Sequence, residues 1–184
     1  MNVVKSTICF VLMLFLSFSI NSTERSQDQP VFGEEHLLES HFVKGVMELY
    51  PAIQEQEAKK VVGLVNYYSQ ELNIKPTVAL AMIGAESSFK RTARSPTGAG
   101  YTQVYPKYHQ DKIKKRDIFK TQVNIEVGMK ILSDCKEKRG TYQKTMACYN
   151  GAISAEKARI YYKKIRDQEK KIMAKVYEAF LGSS

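Results

Sequence analysis

Glu86 closes a run from Thr77 to Glu86 in which it is the only charged side chain. The run reads Val78-Ala79-Leu80-Ala81-Met82-Ile83-Gly84-Ala85 before the acid, and Pro76 stands where a first helical residue is often proline. A helix apolar nearly all round is buried on most sides, so a carboxylate at its end is out of place. Burial raises a carboxyl pKa. An acid tuned toward the working pH can give a proton to a leaving oxygen and take one back later. Ahead of Glu86 lies a long loop carrying Ser95-Pro96, Gly98, Gly100 and Pro106. The local sequence alone still favours a plainer reading, a helix-end glutamate that reaches solvent, because perturbed carboxylates only sometimes mark sites.

Other chemistries find no support. His36, His41 and His109 fit no zinc spacing and read as surface or packing residues. No phosphate-loop pattern and no Gly-x-Ser-x-Gly nucleophile pattern occurs. Neither a metal nor a cofactor is expected. Cys9 sits in an apolar run near the start, which leaves Cys135 and Cys148 as an even pair. They close two successive helical segments. A disulfide and two separate buried thiols are both open, since sequence carries no geometry.

The elements that must position Glu86 follow from periodicity. The chain has 184 residues, room for one domain. Lys5 is the only charge before Glu24, and Ile8 to Leu16 is unbroken apolar sequence. This reads as a signal peptide over 1–22, too short to span a bilayer. Residues 23–33 read as a flexible lead-in, and 34–184 as a single domain. Leu37, Leu38, Phe42, Val46 and Leu49 mark one helix up to Pro51, and Val61, Val62, Leu64, Val65 and Tyr68 mark a second over 55–72. Helices are also expected from Thr121 to Glu137, from Tyr142 to Tyr149 and from Ser154 to Phe180. Alternation is absent except at Tyr101 to Tyr105 in the loop, so the fold class is mainly α.

Wider spacing around Glu86 adds what the local run lacks. Glu86-Ser87-Ser88-Phe89 is followed by Ala93, Ser95, Gly98-Ala99 and Gln103. Asn124-Ile125 precedes Gly128 and Leu132, Ala147-Cys148-Tyr149-Asn150-Gly151 comes next, and Tyr161-Tyr162 precedes Ile165. In order and approximate spacing these blocks resemble the soluble lytic transglycosylases, glycoside hydrolase family 23, over about residues 66–170. The loop from Gly98 to Gln103 is one residue shorter than the family's usual form, with Tyr101 where Leu is usual. Cys148 replaces a small residue, and Gly151 comes one position early.

The resemblance implies a lysozyme-like helical domain with a long active-site loop. It implies cleavage of the β-1,4 bond between N-acetylmuramic acid and N-acetylglucosamine in peptidoglycan. Glu86 would protonate the bridging oxygen and then deprotonate the muramyl 6-hydroxyl, closing a 1,6-anhydro ring. The substrate's acetamido group would stand in for a second carboxylate, and the loop from Ser87 to Pro106 offers no Asp or Glu. Ser95 would bond near the acetamido group, Gln103 would line the groove, Tyr149 would hold Glu86 by a hydrogen bond, and Asn150 would shape the groove. Phe89 and Tyr101 read as packing residues, Arg91 and Arg94 as solvated cations, and Asp111 as a surface residue.

The net charge is +9, which favours anionic partners without choosing one. Lys112 to Arg116 and the basic last helix would suit nucleic acid, but the signal segment argues for export to the periplasm or wall. No nucleic-acid partner is expected, membrane contact is expected only through the signal segment, and a monomer is expected. A hydrolytic muramidase and a non-catalytic wall-binding module are the alternatives. The setting is open: a secretion or conjugation machine, a phage during entry or lysis, or ordinary wall turnover.

Overall fold

The computed structural model describes residues 32–182. The expected signal segment and residues 23–31 of the lead-in lie outside the described residues, as does the side chain of His36. The helices are α1 (Phe32–Leu49), α2 (Glu55–Glu71) and α3 (Pro76–Ser87), then α4 (Gln110–Ile113), α5 (Thr121–Arg139), α6 (Tyr142–Asn150) and α7 (Ala155–Leu181). A 3-10 turn, Pro106–Tyr108, precedes α4. Among the described residues there is no strand, only isolated bridges from Ala99 to Arg94 and to Val104. The class is mainly α with a long loop, as the periodicity requires. α1 begins at Phe32, so Phe32 and Gly33 are helical rather than part of a lead-in; helix ends are the least defined part of a periodic pattern.

The core is built around α3. Every residue from Val78 to Ala85 is buried, and Leu80, Met82 and Ile83 are wholly so. Each such side chain contributes about 1.5–3 kcal/mol by leaving water. α7 packs along α3 and α1, α2 bridges α1 to α5, and α6 lies between α5 and α7. Phe42, Val43 and Val46 of α1 reach this core, whereas Leu38 stays half-exposed at the helix start. Leu80→Ala would open a cavity costing about 2–5 kcal/mol.

A second, smaller cluster supports the loop from below: Val104, Ile113, Val123, Val127 and Ile131. Asn124 then pins the loop from α5. Its Oδ1 accepts from Thr102 N and Thr102 Oγ1, both at 2.9 Å, and its Nδ2 donates to Ala99 O at 2.9 Å and Ile118 O at 3.0 Å. Two glycines make this approach possible. Gly100 has φ +76° and a Cβ there would strike the Asn124 amide, a double requirement only glycine meets. At Gly128 a Cβ would lie 2.5 Å from Thr102 Oγ1.

Cys135 of α5 and Cys148 of α6 form a disulfide, with Cα atoms 5.7 Å apart. That resolves the pair the sequence left open. The bond ties α6 back onto α5 across the turn at Gly140-Thr141, and closing a loop of this size is worth about 3 kcal/mol on the chain-entropy account.

Candidate active site

α3 ends at the cleft because Ser88 takes the left-handed conformation, φ 51°, and its N–H closes on Gly84 O at 3.1 Å. Helix termination there turns the chain outward and leaves Glu86 on the last turn, half-buried, facing a cleft of about 590 Å³. Among the described residues Glu86 is the only carboxylate lining that cleft, alongside Ser95, Gln103, Tyr149 and Asn150. The structure therefore brings the sequence-predicted site residues together around one cavity. Tyr105, Tyr108 and His109 share the wall, and no motif block in the sequence points to them. Their signal was the aromatic spacing in Tyr105-Pro106-Lys107-Tyr108-His109.

The partner of Glu86 differs from the expectation. Tyr161 Oη, from α7, donates to Glu86 Oε1 at 2.5 Å. Tyr149 Oη instead donates to Thr102 O at 2.7 Å, so Tyr149 clamps the loop rather than the acid. Geometry explains the exchange. α7 runs along α3 and carries Tyr161 inward to the core, whereas Tyr149 rises from α6 under the loop. Tyr161 stood within the fourth sequence block, but nothing in its spacing revealed which tyrosine would reach Glu86. Among the described residues, Glu86 Oε2 accepts no protein hydrogen bond.

Burial pushes the Glu86 carboxyl up from its ordinary value, opposed by the Tyr161 hydrogen bond and by the charge of Lys164. Lys164 itself is held on Ala85 O, one residue back along α3. An acid with one oxygen fixed and the other open, kept protonated toward higher pH, is suited to donate a proton into the cleft. Tyr149, enclosed and near the Glu86 charge, is raised far above the ordinary tyrosine range and stays a neutral donor.

The loop residues hold each other as much as the cleft. Ser95 Oγ accepts from Gly98 N at 2.7 Å, and Ser95 N donates to Gly98 O at 3.0 Å. Gln103 sits at φ 49°, a conformation uncommon outside glycine. Its Nε2 donates to Gly100 O at 2.9 Å and Ala93 O at 3.3 Å, and its Oε1 packs against Gly98. Asn150-Gly151 is a turn as well as a cleft wall. Gly151, φ 66°, ends α6, and Ala152 N donates to Ala147 O at 3.0 Å, the pairing of a glycine-closed helix end.

Phe89 and Tyr101 are buried, as packing residues should be. The expected solvated cations are less free than their exposure suggests. Arg94 stacks over the Phe119 ring at 4.0 Å and Arg91 donates to Phe119 O at 3.2 Å. In the basic stretch, Arg116 grips Glu126 at 2.7 Å and Lys112 pairs with Asp134 at 2.9 Å. Half of its cations are thus paired with carboxylates, which weakens it as a polyanion surface. Asp111 is exposed, beside Lys112.

A family model described as the transglycosylase SLT domain matches residues 63–172, enclosing Glu86, Ser95, Gln103, Tyr149, Asn150 and Tyr161. No curated protein matches the chain.

Proposed function

The chain belongs to the transglycosylase SLT domain family, a helical, lysozyme-like family acting on peptidoglycan, and we propose that it is a lytic transglycosylase that cleaves the MurNAc–GlcNAc β-1,4 bond with Glu86 as sole acid and base. One observation carries the reading: among the described residues Glu86 is the single carboxylate on the cleft, raised by burial, with one oxygen held by Tyr161 and the other without a protein donor. The protonated carboxyl gives its proton to the bridging oxygen as the bond to the muramyl carbon breaks. The carboxylate left behind takes the proton of the muramyl 6-hydroxyl, whose oxygen bonds that carbon and closes the 1,6-anhydro ring. The acid is restored, and water is not consumed. With no second carboxylate on the cleft among the described residues, the developing positive charge falls to the substrate's own acetamido group, an exception to the two-carboxylate scheme. Ser95 and Gln103 lie on the wall where that group and its neighbours would bind.

The proposed setting is outside the cytoplasm, after removal of residues 1–22, with 34–184 acting as one domain and as a monomer. The Cys135–Cys148 bond supports an oxidising compartment. Mass spectrometry of digested peptidoglycan tests the chemistry. Anhydro-muramyl ends are expected. Reducing ends would make the protein a hydrolase, and no cleavage beside retained wall binding would make it a binding module.

A further inference from the structure

Tyr105 and Tyr108 stand on the cleft wall with Glu86, and neither is explained by the acid–base chemistry. Tyr108 is 69% exposed, more than any other tyrosine among the exposed large side chains. Aromatic rings usually pack, so a ring left open on the wall of a cleft has a cost in exposed apolar surface. Its backbone is not loose. Pro106 opens the 3-10 turn that carries it, Tyr108 N donates to Tyr105 O at 3.1 Å, and Gln110 Nε2 donates to Pro106 O at 2.7 Å. The two rings brace each other edge to face, centroids 4.6 Å apart. Among the described residues, neither hydroxyl donates to a protein acceptor. The chain contains no Trp, so a flat apolar surface in this cleft has to be tyrosine or phenylalanine.

We propose that Tyr105 and Tyr108 form a sugar-stacking shelf that takes the apolar face of one hexosamine residue of the bound strand, with the phenol hydroxyls free for its ring substituents. A hexosamine presents C–H groups on one face and hydroxyls around its rim. A braced tyrosine pair matches both at little loss of side-chain freedom, since a tyrosine has few rotatable bonds. The shelf contributes affinity and register along the cleft. It acts equally on bound substrate and transition state, so it governs KM rather than kcat. The inference rests on the glycan-cleaving reading above and adds where the strand is gripped.

The test uses the full chain carrying Glu86→Gln, which binds without turnover, and peptide-free MurNAc–GlcNAc strands as the probe. Tyr108→Ala in that background is expected to raise Kd about fivefold to tenfold, the range of one aromatic stacking contact. Tyr108→Phe should stay within about twofold by the same contact. Tyr67→Ala, at an exposed tyrosine on α2 outside the cleft lining, should leave Kd unchanged and controls for surface effects. Binding by Tyr108→Ala that equals its parent overturns the shelf while leaving the glycan reading intact. Failure of the parent to bind these strands at all overturns both.

Discussion

Among the described residues two glutamates each accept a tyrosine hydroxyl, and the fold uses them differently. Glu57, in the first turn of α2, accepts from Tyr101 Oη at 2.9 Å and from Thr121 Oγ1 at 2.5 Å. It joins three parts of the chain: α2, the long loop and the start of α5. Among the described residues Glu86 accepts from Tyr161 alone, and it lines the cleft. A carboxylate satisfied by two fold-making donors is a fastener. One that takes a single donor, in a site that disfavours its charge, is placed to serve as the proposed reagent. What distinguishes them is how many of their lone pairs the fold has already used.

Replacing the acid gives the largest expected effect. Glu86→Gln keeps a carbonyl to accept from Tyr161 but has no proton to give, so cleavage should fall about a hundredfold to ten-thousandfold, the usual worth of a positioned acid–base group. The same variant should be more stable than the parent at neutral pH. Because burial raises the folded carboxyl above its unfolded value, the parent loses stability as pH rises through the Glu86 pKa, and Gln carries no such loss. Thermal unfolding of both proteins at two pH values checks the sign. The variant's advantage should be present at neutral pH and vanish in acid, where Glu86 is protonated in folded and unfolded chains alike. An unchanged rate of wall cleavage would remove Glu86 from the mechanism.

Glu57→Ala should do the reverse. It strands the Tyr101 hydroxyl and the buried Thr121 hydroxyl, and leaving a buried donor unpaired costs about 1–3 kcal/mol each. Denaturant titration should record that loss as a lower midpoint with an unchanged slope. Cleavage measured well below the new melting temperature should persist within about fivefold, since a loop partner acts on the site only through position. If Glu57→Ala abolished activity in a fully folded protein, the division between fastener and reagent would fail.

The sequence could mark one of these carboxylates and not the other, for a physical reason. Glu86 ends a run that ought to be wholly apolar, and a charge in such a run is visible without a structure. Glu57 sits in the acidic first turn of a helix, where carboxylates are ordinary because they meet the positive end of the helix dipole. Its two hydroxyl partners lie 44 and 64 residues away, and no periodicity reports such pairings. The helices were legible from their buried faces for the same reason Glu86 was. The short α4 and the turn at Pro106 were not, because so few residues establish no period. Tyr149 and Tyr161 illustrate the limit most sharply. Both were marked by their motif blocks, yet which hydroxyl reaches Glu86 depends on how α7 and α6 cross α3, a tertiary fact. The pairing of Cys135 with Cys148 likewise needed the closeness of α5 and α6.

The finest test removes one hydroxyl from each glutamate. Tyr161→Phe and Tyr101→Phe delete the same atom from similar buried rings, so packing changes little and the hydrogen bond alone is lost. The Tyr161 hydroxyl stabilises the charged form of Glu86 and so lowers its pKa, against the larger upward push of burial. Without it the carboxyl stays protonated to higher pH. A reaction that begins with proton donation falls away as pH rises through the acid's pKa, so that basic limb should move to higher pH in Tyr161→Phe. Lys164→Met should move it the same way, because Lys164 is the other group holding the pKa down. Tyr101→Phe should leave the limb where it was and instead cost about 1.5–3 kcal/mol, the worth of a hydrogen bond to a charged group. A limb that moved down, or not at all, in Tyr161→Phe would mean the titrating acid does not feel this hydroxyl. A shift of equal size in Tyr101→Phe would mean both hydroxyls act only through the fold, and the contrast between the two glutamates would then have no chemical content.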